Sequence, residues 1–183
     1  MDWKENMKKL VLSYELAWRT EEDKKFLKRK EWLKEIRPRI LKLQDYTCQY
    51  CGYRKEERQH IHHIDGNPKN NKDENLEVIC NYCHMITHAG LWCVVLKSVD
   101  IYEKSKYNQN EIVQITRKMR EEEKVDDEII KFLGLENKTN FKQDLKYLAE
   151  QFGFITSRKK AKSQPFTITE KDQKESLQNR SNW

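Results

Sequence analysis

The residues of this chain that could hold a metal ion crowd into one short window. All five histidines lie between His60 and His88, and four of the five cysteines between Cys48 and Cys83. The cysteines form two CxxC pairs, Cys48-Gln49-Tyr50-Cys51 and Cys80-Asn81-Tyr82-Cys83, separated by twenty-eight residues. A CxxC turn sets two thiolates on one side of a tight loop. Two such turns complete a closed tetrahedral shell with no open position, the arrangement of a structural zinc ion. In a chain with a small core, that ion would supply much of the folding free energy. A redox role for either pair is the weaker alternative, because no thioredoxin-like strand and helix surround it.

The histidines are too many for the same ion. His84 and His88 are four apart on an expected short helix, so their rings project from one face. His62 or His63, on a facing strand, could complete the set. Neighbouring strand residues point to opposite faces, which gives these two different jobs unless the strand ends there. One can bind a metal while the other faces substrate as a base. His60 shares a face with His62; it could replace it as ligand, touch a phosphate, or be solvated.

Several elements must position these groups. Residues 1–45 read as a charged helical region, with Phe26, Leu27, Trp32, Leu33, Ile36, Ile40, Leu41 and Leu43 at roughly helical spacing. Pro38 is expected to end or kink that helix near Arg37. Lys24, Lys25, Lys28, Arg29 and Lys30 read as a solvated face. From Tyr46 the order becomes strand (60–64), a polar loop opened by Asp65-Gly66-Asn67-Pro68, strand (76–79) and helix (81–88). Arg54, Lys55 and Arg58 are candidate phosphate contacts, with Lys69 and Lys72 weaker ones; each is equally readable as solvated loop.

Beyond Gly90 an apolar run leads into a region, 91–156, that reads as helical, with patterns over 110–123, 126–133 (closed by Gly134) and 141–152. Helices joined through Gly134-Leu135-Glu136-Asn137 could form a helix-turn-helix; a packing or dimerising bundle is the favoured alternative. Cys93 reads as a buried small hydrophobe. Residues 157–183, with Arg158-Lys159-Lys160-Ala161-Lys162, read as a basic disordered tail.

Composition bounds the function. Charged residues are 36% and hydrophobic residues 37%, with a formal net charge of +6. That excess fits a polyanion partner, because lysine and arginine release counterions from phosphates. No apolar stretch is long enough to span a bilayer, and Met1-Asp2-Trp3-Lys4-Glu5 lacks a signal core. A cytoplasmic setting is expected, in which thiols stay reduced and bind metal.

The stretch from Tyr46 to His88, with TCQYCG followed by IHHIDGNPKNNKDENLEVICNYCHMITH, resembles an HNH endonuclease domain. The resemblance covers residues 46–90. It rests on the paired His62-His63, on Asn75 in Glu74-Asn75-Leu76, and on His84 directly after the second CxxC. It implies an α+β chain: a small zinc-stapled ββα-metal core flanked by N- and C-terminal helical regions. It further implies that His63 is the general base, and that His62, His84 and His88 hold a catalytic divalent ion. Asn75 would hold the loop between the strands and, through it, orient His63. The expected ion is Mg2+ or Mn2+, with Zn2+ or Ni2+ as alternatives that imidazole ligands favour.

The leading expectation is therefore a metal-dependent DNA endonuclease leaving 5′-phosphate and 3′-hydroxyl ends, in a restriction, homing or defence role. Its partner would be DNA, with a homodimer or a regulatory protein as further partners. The rival is a zinc-stabilised nucleic-acid-binding module whose nuclease site is vestigial.

Overall fold

A computed structural model of the chain describes residues 7–13, 25, 29 and 31–157. Lys25 and Arg29 are exposed, in keeping with a solvated face; Lys24, Lys28 and Lys30 lie outside the described residues, as does the basic segment from Arg158 onward.

The chain does not break at Pro38. A π-helical turn, Trp32–Ile36, runs directly into helix α1, Arg37–Leu43. The wide turn is closed by Arg37 N–H to the Trp32 carbonyl. Pro38, which has no N–H to donate, thus sits where the wide register of that turn gives way to α1 at Arg37. Leu33 and Leu43 point outward, whereas Trp32, Ile36, Ile40 and Leu41 pack on the next element.

That element is an antiparallel pair, β1 (His60–His63) and β2 (Leu76–Ile79), registered His60 to Ile79 and His63 to Leu76. Ile61, Leu76 and Val78 face Trp32, Ile36, Ile40 and Leu41. The outer edge of β2 is covered: the Gln44 side chain donates to the Leu76 carbonyl (2.9 Å) and accepts from Val78 N–H (2.8 Å). Helix α2, Asn81–Thr87, follows β2 after one residue and packs back against β1. Strand, loop, strand and helix fall in the expected order.

The remainder is less helical than its sequence reads. After a π-helical turn, Leu91–Val95, come β3 (Val99–Lys104), α3 (Gln109–Glu121), α4 (Asp126–Leu133), β4 (Glu136–Thr139), α5 (Leu145–Ala149) and β5 (Phe152–Ile155). Helices α3 and α4 match the expected patterns, and α4 ends on Gly134 in the left-handed conformation (φ +61°). The three strands form an antiparallel sheet in the order β4-β3-β5.

The helix expected over 141–152 is only five residues long, and the proposed helix-turn-helix does not form, because Gly134-Leu135 leads straight into β4. Phe152-Gly153-Phe154-Ile155 prefers an extended rung opposite β3, with Ile101 opposite Gly153. At Gly153 a Cβ would sit 2.8 Å from Cδ1 of Ile86 in α2 and 3.1 Å from a Leu12 methyl, so any larger residue would have to displace two buried side-chain ends. The shared core of Leu10, Leu12, Ile79, Met85, Ile86, Val99, Ile101, Val113, Leu148 and Ile155 joins this sheet to the cysteine-bearing region. Among the described residues no helix is long and apolar enough to cross a membrane.

Candidate functional site

The four CxxC cysteines converge. Their sulfurs lie within 4.8 Å of one another, all four residues are buried, and Cys51 and Cys80 Sγ are 3.6 Å apart. A tetrahedral zinc with Zn–S bonds of about 2.3 Å places its sulfurs roughly 3.8 Å apart, so the donor set fits that ion. The first pair sits on a turn in which Gly52 N–H bonds the Cys48 carbonyl and Cys48 N–H bonds the Tyr53 carbonyl, both at 3.0 Å. The second pair opens α2: Cys80 is its N-cap, and its sulfur accepts from Cys83 N–H at 3.4 Å. Hydrogen bonds within the cluster, from Cys48 first and then Cys51 and Cys83, hold Cys80 well below the ordinary thiol range, with Arg117 adding to the effect. The same sharing pushes Cys51 and Cys83 up.

Because Cys80 and Cys83 start α2, the sulfur cluster sets the direction of the helix that carries the histidines. His84 lies one residue past Cys83, and His88 caps the helix end. Their rings are 4.6 Å apart, and His62 of β1 stands 5.6 Å from His84 and 5.2 Å from His88. Ring nitrogens of the three lie within 4.8 Å of one another, close enough for one ion to take all three. His60, exposed on the same strand face, has its ring 5.1 Å from His84. Of the two expected groupings, both are brought together.

His63 lies apart from this set. It is the last residue of β1, only 5% exposed, and its ring stacks on Trp32 at 5.1 Å and 23°. Its Nε2 is 3.1 Å from Asn71 Oδ1. With the amide oxygen as acceptor, Nε2 carries the hydrogen and Nδ1 is the basic nitrogen. Sequence reasoning has His63 facing substrate; the surroundings it missed are Trp32, which reads merely as a helical apolar position, and Asn71, one polar residue among many in its loop.

Asn75 secures that loop. Its Oδ1 accepts from Asp65 N–H (3.1 Å), and its Nδ2 donates to Asp65 Oδ1 and to the Asn70 carbonyl, both at 2.9 Å. Its own carbonyl accepts from Ile64 N–H at 2.9 Å. Burial opposes the charge of Asp65, but hydrogen bonds from Asn70, the Asn67 backbone and Asn75 outweigh it and hold the carboxyl below its usual range. The loop thus closes on itself from Ile64 to Asn75, with Asn71 aimed at His63.

The basic residues divide. Arg54 is committed to Asp45 (3.0 and 3.1 Å), while Lys55, Arg58, Lys69 and Lys72 are exposed. A buried carboxylate, Glu77 of β2, accepts from Tyr50 Oη (2.7 Å) and from Lys8 Nζ; burial and this carboxylate push the Tyr50 phenol well up. No local pattern in the sequence marks that trio.

Residues 48–90 match the family model described as HNH endonuclease. No curated protein matches the chain. The match gives the region from the first CxxC to Gly90 a nuclease-type, nucleic-acid-acting character, and it spans both the sulfur cluster and all five histidines.

Proposed function

We propose that the HNH domain at residues 48–90 is a working, metal-dependent endonuclease that hydrolyses DNA phosphodiester bonds, with the four cysteines holding a structural zinc. The observation that carries this reading is the convergence of His62, His84 and His88 from a strand and a helix onto one point beside a second, all-sulfur site. Three neutral imidazoles would hold a divalent ion while leaving its charge undiminished, and that ion would stabilise negative charge on the scissile phosphate and the departing oxygen. His63 would take a proton from water through Nδ1, its ring held from one side by Trp32 and through Nε2 by Asn71. Asn75 would act at one remove, as the residue that holds Asn71 in place. Lys55, Arg58, Lys69 and Lys72 are exposed and would be available to a phosphate backbone.

The test is plasmid cleavage with Mg2+, Mn2+, Ni2+ or Zn2+ supplied in turn, comparing the wild type with His63→Ala, His84→Ala and Cys48→Ser. Removing a general base should lower the rate by about 10²–10⁴-fold while DNA binding and zinc content persist. His84→Ala should lose cleavage together with binding of the second ion. Cys48→Ser should fold poorly. Cutting by His63→Ala at the wild-type rate rejects the base assignment.

A second reading, a zinc-stabilised binding module with a vestigial nuclease site, is favoured by one observation: His63 is 5% exposed. A wild-type chain that binds DNA yet stays inert with every ion would establish it instead.

A further inference from the structure

Helix α3 carries three polar side chains, Asn110, Gln114 and Arg117, at spacings that put them on one face. All three reach the cysteine turns. Asn110 Nδ2 donates to the Tyr50 carbonyl, inside the first CxxC; Gln114 Nε2 donates to the Cys51 carbonyl at 3.0 Å; Arg117 Nη2 donates to Cys80 Sγ at 2.9 Å. The guanidinium also lies over two rings, 3.7 Å from the centre of Tyr53 and 4.5 Å from that of Tyr82. Tyr53 follows the first pair and Tyr82 lies within the second, so the cation is wedged between the two turns.

We infer that Arg117 is a positioning residue for the four-cysteine site, offsetting the charge of a zinc tetrathiolate and making metal retention depend on the docking of α3. The inference rests on the zinc reading of that cluster. A divalent ion with four thiolates would carry a net charge of −2, and the four cysteines that would hold it are buried. A buried charge needs a partner, and a guanidinium hydrogen-bonded to a sulfur both neutralises part of it and keeps that sulfur on the metal. The two tyrosine faces stabilise the cation away from water. Asn110 and Gln114 fix the carbonyls of the first turn, so α3 holds both halves of the shell. Coupling runs both ways: a site that retains its ion holds α3, and a docked α3 slows loss of the ion. Since α3 packs on β5 and α4, the sheet-bearing part of the chain is fastened to the nuclease-type domain through its metal site as well as through the shared core.

The experiment measures zinc content and then zinc release to a chromogenic chelator, with hydrogen exchange of α3 in parallel, on the full chain. Arg117→Met keeps the length but removes the charge; Arg117→Lys keeps the charge but loses the fork; Lys118→Met removes a charge from the exposed side of the same helix. Outer-shell partners typically contribute 10- to 100-fold to metal affinity, so Arg117→Met should release zinc about that much faster and exchange α3 amides sooner. Arg117→Lys should fall between, and Lys118→Met should match the wild type. If Arg117→Met does not fold, Arg117→Lys and Gln114→Ala carry the comparison with Lys118→Met. Equal release from all variants overturns the inference while the zinc reading stands. A wild-type chain that holds no zinc at these cysteines overturns both, and the metal content shows which has failed.

Discussion

The loop between β1 and β2 hangs on one amide, and replacing it tests how that loop works. Asn75 is 8% exposed and makes three side-chain hydrogen bonds, to Asp65 N–H, Asp65 Oδ1 and the Asn70 carbonyl. In Asn75→Ala these groups lose their partner. At about 1 kcal/mol net for each bond, partly recovered where water enters, the loss should be roughly 2–3 kcal/mol, read as a lower denaturation midpoint in the zinc-loaded protein. Asn75→Asp is the sharper probe, because its shape is retained and its donor is not. It sets a second carboxylate against Asp65 Oδ1, at a position now 2.9 Å away, and against the Asn70 carbonyl. Two carboxylates that close cannot both ionise without penalty, so one must bind a proton. Asn75→Asp should therefore be less stable than Asn75→Ala at pH 7.5 and regain stability relative to it as pH falls toward 5. In cleavage assays both variants should lose rate more than DNA affinity, because Asn71 is no longer aimed at His63. If Asn75→Asp equals the wild type at pH 7.5, the amide is not oriented as described and the reasoning fails.

Four other outcomes follow from the packing. Gly153→Ala should cost about 1–3 kcal/mol, because the added methyl meets Ile86 on the helix that bears His84; an unchanged melting temperature would show that β5 and α2 are less tightly opposed than 2.8 Å implies. Trp32→Ala should cost about 3–5 kcal/mol through the cavity it leaves. Trp32→Phe, which keeps a ring over His63, should retain most of the cleavage that Trp32→Leu loses; equal activity in the two would remove any role for the stacked ring. Cys93, expected to be buried, is half-buried against the core, and that partial burial pushes its thiol up to about 12. At pH 8 its thiolate is then about three orders of magnitude scarcer than that of a free cysteine, so iodoacetamide should leave it unlabelled in the zinc-loaded protein. Stoichiometric alkylation within minutes would show that its packing does not hold the thiol protonated.

What could be read from the sequence was what metal chemistry and strand geometry dictate locally. Ligand type and spacing identify Cys48, Cys51, Cys80 and Cys83 as one set, and the four-residue separation of His84 and His88 already puts them on one helical face. The opposite orientation of His62 and His63 follows from the pleat alone. The three-stranded sheet was not legible, because β4 is Glu136-Asn137-Lys138-Thr139, an edge strand with no buried apolar residue to create an alternation. Val99-Asp100-Ile101-Tyr102 did carry such a signal, with Val99, Ile101 and Tyr102 buried. Arg117 was invisible for a different reason. Its partners lie thirty-seven residues away at Cys80 and farther still at Tyr53, and no local pattern encodes a contact that only tertiary packing creates.

The proposed division of labour between His62 and His63 depends on strand register, and the fold protects that register from outside the hairpin. A slip of one residue would turn His62 toward Trp32 and His63 toward His84 and His88, exchanging the two faces. A two-stranded ribbon is poorly defended against this on its own. The defence comes from two glutamine side chains acting as extra rungs. Gln44 brackets Leu76 and Val78 on the free edge of β2, at 2.9 and 2.8 Å. Gln59, next to the first residue of β1, donates to the carbonyls of Tyr46 and Tyr53 at 2.9 and 2.7 Å, while its own carbonyl accepts from Arg37. Each tether addresses particular backbone atoms, so a slipped strand would break several hydrogen bonds at once and leave buried amides unpaired. Gln109 does the same for β5, pairing with both backbone groups of Gly153 at 2.7 and 2.9 Å. Where strands such as β1, β2 and β5 are only four residues long, side-chain amides supply the register that longer ladders would otherwise set, and the histidines keep their faces because of it.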